Sequence, residues 1–287
     1  MGWLKSLSPV PIPGTREYFI ARQFSELLAL LRSYNCTFHG CAALGNGPVP
    51  HGISFRYDIH SRDVELAHEF LAFHLRENIP ATFFLMWDYA NSDRARFEKF
   101  QALAKKASPP IELGLHDSPA DSFLIDTKFS GNSRSYRRWT ASPDAIAWLE
   151  GIAAQPGALA QFNASALERF KQSVARTREH FGAISAVAAH GGEWGQSMRA
   201  HISTPDPGLQ EIATSFIARH WLTRERVSAA GLEADVEYYA KHVPGLTQVS
   251  DGGKSRLIMT EKIKRDLSHG KAVQILIHPY TWQFPND

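Results

Sequence analysis

Apolar and polar residues alternate from residue 52 to residue 60, which is the pattern of an extended strand. A helical pattern follows over residues 63–77, and the apolar run at 80–86 predicts a second buried strand. A strand, a helix and a strand in immediate succession form a βαβ unit, so we expect the two strands to be parallel. Asp58 and His60 then lie at the carboxyl end of the first strand, where parallel α/β proteins place their chemistry.

The rest of the chain continues this alternation of strand and helix patterns. Further strands are predicted at residues 111–116, 183–190, 246–253 and 272–279. Further helices are predicted at residues 16–34, 93–106, 143–152, 164–181, 205–217 and 260–268. Glycine and proline predict a mostly irregular segment at 35–51, and the polar stretch 117–142 predicts a long loop inserted above the strand ends. The pattern indicates an α/β fold, either a barrel or an open wound sheet.

Composition narrows the class of protein. The chain has 287 residues, of which 44% are hydrophobic and 21% charged, as in ordinary soluble globular proteins. A net charge of +2 gives no electrostatic case for binding nucleic acid or a membrane surface. No apolar run is long enough for a transmembrane helix, and the first residues lack the pattern of a secretion signal, so we expect a cytoplasmic protein.

The two cysteines, Cys36 and Cys41, flank His39. A zinc site and a short-loop disulfide are both conceivable interpretations, but a structural zinc site needs four ligands and the expected compartment is reducing. The interpretation we favour is two ordinary thiols beside the first strand.

Titratable residues stand at or just past the ends of the predicted strands: Asp58, His60, His116, His190, Asp251 and His278. The ends of parallel strands meet at one rim, so these groups are expected to converge there. Two or three imidazoles with a carboxylate suit zinc or another divalent metal, which makes a bound water more acidic and polarises a carbonyl. A second carboxylate can take the water's proton and a histidine can protonate the leaving amine. The pattern therefore favours hydrolysis of an amide or ester without a covalent intermediate, and no G-x-S-x-G motif points to a serine nucleophile.

Several of these segments resemble motifs of the polysaccharide deacetylase superfamily of carbohydrate esterases, over roughly residues 52–282. The segments are Phe55-Arg56-Tyr57-Asp58-Ile59-His60, Pro80-Ala81-Thr82-Phe83-Phe84, Gly114-Leu115-His116, Ser250-Asp251-Gly252 and Leu276-Ile277-His278-Pro279. The resemblance implies a distorted (β/α)7 barrel at 52–287, with 1–51 as an N-terminal lead-in and helix packed on it.

The resemblance also implies roles for individual residues. Asp58 takes the place of the catalytic base, and His60 that of the metal-binding aspartate. His116 takes the place of the first metal histidine. The family has a second metal histidine where this chain has Ala120, and the candidates to replace it are Asp117, Asp121 and His190, of which His190 is the ligand we expect.

Further along the chain, His278 matches the general acid of the family, and Asp251 would orient a catalytic group. Trp194 and Trp282 follow strand ends and are candidates to stack on a sugar, with packing in the core as the commoner alternative. Arg56 is a candidate for substrate binding, although pairing with an acid at the rim is the alternative.

The function that this resemblance implies is a metal-dependent hydrolase that removes an acyl group, N-acetyl by expectation, from a sugar or related amide. The expected cofactor is a divalent metal, with zinc as the first choice, and the expected substrate is a small-molecule or lipid-linked sugar. Two alternatives stay open: a metal-independent C–N hydrolase of the same fold, and a catalytically inactive relative that binds carbohydrate.

Overall fold

The computed structural model describes residues 16–45, 47–60, 63–86, 94–106, 111–190, 209, 212–214, 216, 218–236, 242–251 and 256–279. In chain order its elements are α1 (Arg16–Ser33), β1 (Thr37–His39), α2 (Cys41–Gly45), β2 (Gly52–Ile59), α3 (Val64–Glu77), β3 (Ala81–Leu85), α4 (Arg94–Ala104), β4 (Ile111–Asp117), α5 (Pro119–Lys128), α6 (Ser133–Thr140), α7 (Pro143–Ala154), α8 (Ala158–Phe181), β5 (Ala186–Ala189), α9 (Ala218–Trp221), α10 (Arg224–Ala229), β6 (Ala234–Asp235), β7 (Leu246–Ser250), α11 (Arg256–Ser268) and β8 (Ala272–Ile277). The chain divides into two compact units, Met1–Leu115 with Tyr239–Asp287, and His116–Tyr238.

The first unit is built on a parallel sheet with the strand order β4-β3-β2-β8-β7, and β1 pairs with the start of β2. The sheet curls into a half-barrel of six strands, which is compatible with a distorted barrel. The mixed α/β class and the parallel pairing predicted from the βαβ pattern are confirmed. Parallel pairing matters for function because it brings the carboxyl ends of β2, β8 and β7 to one edge.

Strand β2 has two faces of opposite character, because successive side chains point to opposite sides of a strand. Phe55 and Tyr57 lie on the face covered by helices, which we call the outer face. There the Phe55 ring lies 5.1 Å from that of Phe24 in α1, and the Tyr57 ring lies 5.4 Å from that of His74 in α3. The alternate positions, which include Arg56, define the inner face. Aromatic packing outside and a polar inner face explain why the alternation was visible in the sequence.

The second unit consists mainly of helices, with the short strands β5 and β6 paired in parallel. Helix α5 packs along α8, and Arg169 of α8 forms ion pairs with Asp117 and Asp126. Two tryptophans, Trp139 and Trp148, have their ring centroids 5.7 Å apart, at the centre of an aromatic cluster. The unit is therefore stabilised by helix packing and aromatic contacts rather than by an extended sheet.

The expectation of a long loop at 117–142 is wrong, because this stretch contains α5 and α6. Pro119 occupies the start of α5, and the Asn132 side chain accepts a hydrogen bond from the Ser135 N–H at the start of α6. The polar residues that indicated a loop form the exposed faces of these helices. Each helix buries a minority of its residues, and some of these are polar: Pro119, Ala120, Asp121 and Leu124 in α5, and Tyr136, Trp139 and Thr140 in α6.

Two smaller differences concern element boundaries. The segment 35–51 was expected to be irregular but contains β1 and α2, and α8 begins six residues before the predicted start at 164. Most of the helix predicted at 205–217 lies outside the described residues. Within the part of the chain that the structure describes, no helix has the length and apolar character needed to span a membrane.

Candidate active site

The ends of three neighbouring strands in the first unit bring titratable groups together. Asp58 is the next-to-last residue of β2, while Asp251 and His278 directly follow β7 and β8. Tyr57 is level with Ile277 in the parallel register, so Asp58 is level with His278. The structure therefore gathers three of the residues that the sequence singled out, Asp58, Asp251 and His278, at one edge of the sheet.

Asp251 holds His278 through both of its carboxylate oxygens. Its Oδ1 lies 2.7 Å from Nδ1 of the imidazole, and its Oδ2 accepts the backbone N–H of His278 at 2.8 Å. A carboxylate only accepts hydrogen bonds when ionised, so we assign the ring proton to Nδ1. This fixes the ring orientation and makes Nε2 the nitrogen that can exchange a proton with another molecule.

The charges around His278 favour its protonated form. Burial of the ring acts to lower the pKa of His278, but the hydrogen bond to Asp251 and the negative charges of Asp251 and Asp58 outweigh it, against a smaller opposing effect of Arg56. The net result is a pKa above the ordinary 6.5. An imidazole of this kind is available as a proton donor near neutral pH.

Arg56 and Asp58 form a bidentate ion pair on the inner face of β2. Arg56 Nε donates to Oδ1 and one terminal nitrogen donates to Oδ2, both at 2.8 Å. The pair is buried, with 0% of Arg56 and 3% of Asp58 exposed. Arg56 thus takes the alternative role foreseen for it, as the partner of an acid, and its guanidinium balances the buried charge of Asp58.

His60 directly follows β2 and is oriented by a residue that the sequence analysis did not single out. Its Nδ1 lies 3.0 Å from Oδ2 of Asp63, whose side chain is only 3% exposed. The sequence signal for this contact is an acid three residues after the histidine, which the helical pattern assigns to the start of a helix. The contact with Asp63 fixes the orientation of the His60 ring.

In the second unit, His116 and His190 lie side by side, with ring centroids 4.9 Å apart. Nδ1 of His116 lies 3.1 Å from the carbonyl oxygen of Ala188, and the His190 backbone N–H donates to the carbonyl of Asp117 at 2.9 Å. A carbonyl oxygen accepts only from a protonated nitrogen, so we assign the ring proton of His116 to Nδ1. Two imidazoles placed in this way are suitable ligands for a transition metal.

The two acids considered in place of the second metal histidine have other partners. Asp121 accepts hydrogen bonds from the hydroxyls of Ser118 and Tyr136. Asp117 accepts from the Ser118 N–H and pairs with Arg169. Both carboxylates connect helices within the second unit, so His190 is the better placed ligand candidate of the three.

The remaining candidates are two tryptophans and two cysteines. Trp194 and Trp282 lie outside the described residues. Cys36 and Cys41 are free thiols. Burial raises the pKa of Cys36 to about 11 and that of Cys41 to about 12, so neither offers a thiolate near neutral pH. The cysteines therefore agree with the interpretation as ordinary thiols.

Comparison with known proteins gives no relative for this chain: no protein-family model, no curated protein and no solved structure matches it. The resemblance to polysaccharide deacetylases stays a prediction from the motifs. A functional conclusion has to be argued from the geometry of the site itself.

Proposed function

We propose that the chain is a hydrolase of C–N bonds that removes an acyl group, N-acetyl by first choice, from a sugar or a related amide. The observation that supports this most is the Asp251–His278 pair standing level with the carboxylate of Asp58. Amide hydrolysis needs a general acid and a general base, and this edge of the sheet carries one candidate for each. A soluble or lipid-linked sugar in the cytoplasm stays the expected substrate.

In this proposal His278 is the general acid. The nitrogen of an amide is a poor leaving group unless it is protonated as the C–N bond breaks. The raised pKa of His278 keeps a proton available, and Asp251 directs Nε2 outward by holding Nδ1. Asp251 is thus the orienting group rather than the proton donor.

Asp58 is the proposed base. Its carboxylate accepts a hydrogen bond from Arg56 on each oxygen and stands level with His278. An arginine at this distance favours the ionised form of a carboxylate. Such a group takes up a proton most easily from a water that has been made acidic, which is a reason to expect a divalent metal.

The proposed metal ligands are the three histidines that the motifs single out: His60 of the first unit, and His116 and His190 of the second. The donor set fits zinc, for which three neutral imidazoles are a common catalytic ligand set. Two of the rings also have Nδ1 bonded to an acceptor, Asp63 or the Ala188 carbonyl, as metal-bound histidines usually do. When bound, such a metal acidifies a water and polarises the acyl carbonyl.

A metal-independent C–N hydrolase is the second candidate. The Arg56–Asp58 and Asp251–His278 pairs, which supply the proposed base and acid, both lie within the first unit. In this version Asp58 takes a proton from a water that no metal has activated, and His278 again protonates the leaving nitrogen. The histidines of the second unit then have a structural role.

Acetate release from N-acetylglucosamine, chitooligosaccharides and 4-nitrophenyl acetate tests the proposal. The protein is stripped with a chelator and reloaded with zinc, cobalt or manganese. We expect turnover by the reloaded protein and a loss of about 10²–10⁴-fold in His278→Gln, because the proton donor is removed. His269→Gln is the matched control, since His269 is an exposed histidine bonded to the Arg265 carbonyl.

Three outcomes separate the candidates. Turnover that needs metal and His278 supports the main proposal, and turnover that survives chelation supports the metal-independent hydrolase. A wild-type protein that binds these sugars but never releases acetate, with the same binding in Asp58→Asn, identifies a carbohydrate-binding protein and rejects both hydrolases.

A further inference from the structure

Asp63 stands at a position where an aspartate normally caps a helix. It is the residue before α3, and capping aspartates accept a hydrogen bond from a backbone N–H in the first turn. The Asp63 side chain makes no such capping bond. A buried carboxylate at a helix start that does not serve the helix needs another explanation.

The explanation lies in its contact with His60. Oδ2 of Asp63 lies 3.0 Å from Nδ1 of His60, and the Asp63 backbone N–H donates to the His60 carbonyl at 2.8 Å. The backbone bond sets the distance between the two residues, and the side-chain bond sets the rotation of the ring. Both contacts lie within the first unit.

We propose that Asp63 is the positioning residue of His60 as a metal ligand: its carboxylate fixes the orientation and tautomer of the ring, so that Nε2 would be the ligand atom. The inference rests on the proposed function, because it requires that His60 binds a metal. A carboxylate bonded to the far nitrogen of a metal-bound imidazole fixes its tautomer and raises its basicity. His116 has a neutral carbonyl in the equivalent place, so the charged partner is a particular property of His60.

The test measures Co²⁺ affinity of the full chain, by visible absorption of the bound ion and by competition with a chromogenic chelator. We expect Asp63→Ala to weaken Co²⁺ binding by about 10–100-fold, the usual loss for such an outer partner. Asp63→Asn keeps an oxygen that can accept from Nδ1 but loses the charge, so its loss should be smaller. His60→Ala removes a ligand and should lose the most.

Thr223→Ala is the matched control for a change at a helix start. Thr223 does cap its helix, since its hydroxyl accepts from the Arg226 N–H. We expect this variant to lower the midpoint of thermal unfolding and to leave Co²⁺ affinity unchanged. Asp63→Ala should do the opposite: it should clearly weaken Co²⁺ binding and should lower the midpoint of thermal unfolding less than Thr223→Ala does.

The outcomes distinguish this inference from the proposed function. Unchanged Co²⁺ affinity in both Asp63 variants, with tight binding by the wild type, overturns the positioning role alone. A loss in Asp63→Asn as large as in His60→Ala also overturns it, because Asp63 would then be a direct ligand. A wild-type protein that takes up no Co²⁺ overturns both this inference and the metal-dependent hydrolase. If Asp63→Ala fails to fold, Asp63→Asn alone decides between these results.

Discussion

Tyr57 and Asp58 are neighbours in β2, yet each lies near a histidine, and the pKa values of these two histidines are shifted in opposite directions. On the outer face, His74 lies among the rings of Phe55, Tyr57 and Phe24. On the inner side, Asp58 stands level with His278, which Asp251 holds. The two histidines belong to the same unit and border the same strand, so their difference comes from their immediate partners.

His74 is held as a neutral ring. Its Nε2 lies 2.7 Å from the Tyr57 hydroxyl and its Nδ1 3.1 Å from the Ile79 carbonyl, so each nitrogen has a partner that suits the neutral form. Burial lowers the pKa of His74 to about 3, and the bond to the Ile79 carbonyl offsets only part of this.

The comparison shows that burial alone does not identify a functional histidine. Burial acts to lower the pKa of both rings, and at His278 the contact with a carboxylate reverses the direction. Contact with a carboxylate distinguishes His278 from His74. Substitutions around either histidine should therefore have separate effects.

The largest expected effect is on the acid stability of the outer face. The folded pKa of His74 is about 3, below the ordinary 6.5, so His74 takes up its proton only on unfolding at mildly acidic pH. The stability it contributes is present above pH 6.5 and is lost as pH falls towards 3, by on the order of 5 kcal/mol in total. Urea unfolding across this range should show the gap between wild type and His74→Gln shrinking as pH falls. A gap that stays constant contradicts the prediction.

The next effect concerns the ion pair on the inner face. Asp58→Leu leaves the Arg56 guanidinium buried without its carboxylate and should cost about 3–5 kcal/mol of unfolding free energy. The double variant Arg56→Met with Asp58→Leu should recover most of this loss, because it removes both charges. Urea denaturation of the two single variants and the double variant measures the coupling. The idea fails if Asp58→Leu unfolds within about 1 kcal/mol of the wild type.

A smaller effect is expected at Asp251. The raised pKa of His278 adds stability that is fully present below pH 6.5 and is lost as pH rises through the folded-state pKa. Asp251→Asn removes the charge that causes this, so it should cost about 1.5–3 kcal/mol at pH 5 and less above neutrality. Thermal unfolding at several pH values measures the difference, and a cost that grows with pH would be the wrong sign.

The smallest effect should come from Tyr57→Phe, which removes the hydroxyl that donates to His74. Burial, and then the charge of Asp251, raise the pKa of the Tyr57 phenol, so it stays protonated and can donate. Loss of one neutral hydrogen bond should cost about 1 kcal/mol and leave His278 unaffected. Urea unfolding together with an NMR titration of His278 checks both halves, and a shifted His278 pKa would show that the two faces are not independent.

The sequence predicted the sheet well where each strand has one apolar and one polar face, as in β2. It failed at 117–142, because the residues that the helices bury there include the polar Asp121 and Thr140, so their burial leaves no clear apolar pattern in the sequence. Signals for their starts were present in Pro119 and Asn132, but capping residues also occur in turns. Local composition alone therefore could not decide between a helix and a loop at 117–142, because the difference depends on tertiary packing.

For the site, the sequence could place Asp58, Asp251 and His278 at strand ends, and parallel register then brought them together. It could not predict which acid pairs with which base. Asp63 was missed because the distinction between capping a helix and orienting His60 lies in a side-chain rotation, which no sequence pattern encodes.

The most direct test of the contrast between the two faces is an NMR titration of the histidine ring protons in the wild-type protein. It needs no substrate, and His74→Gln and His278→Gln assign the two signals. We predict that His278 titrates above pH 6.5 and that His74 stays neutral until the pH approaches about 3. A His278 pKa at or below 6.5 would contradict the assignment of this ring as the proton donor, and with it the proposed chemistry.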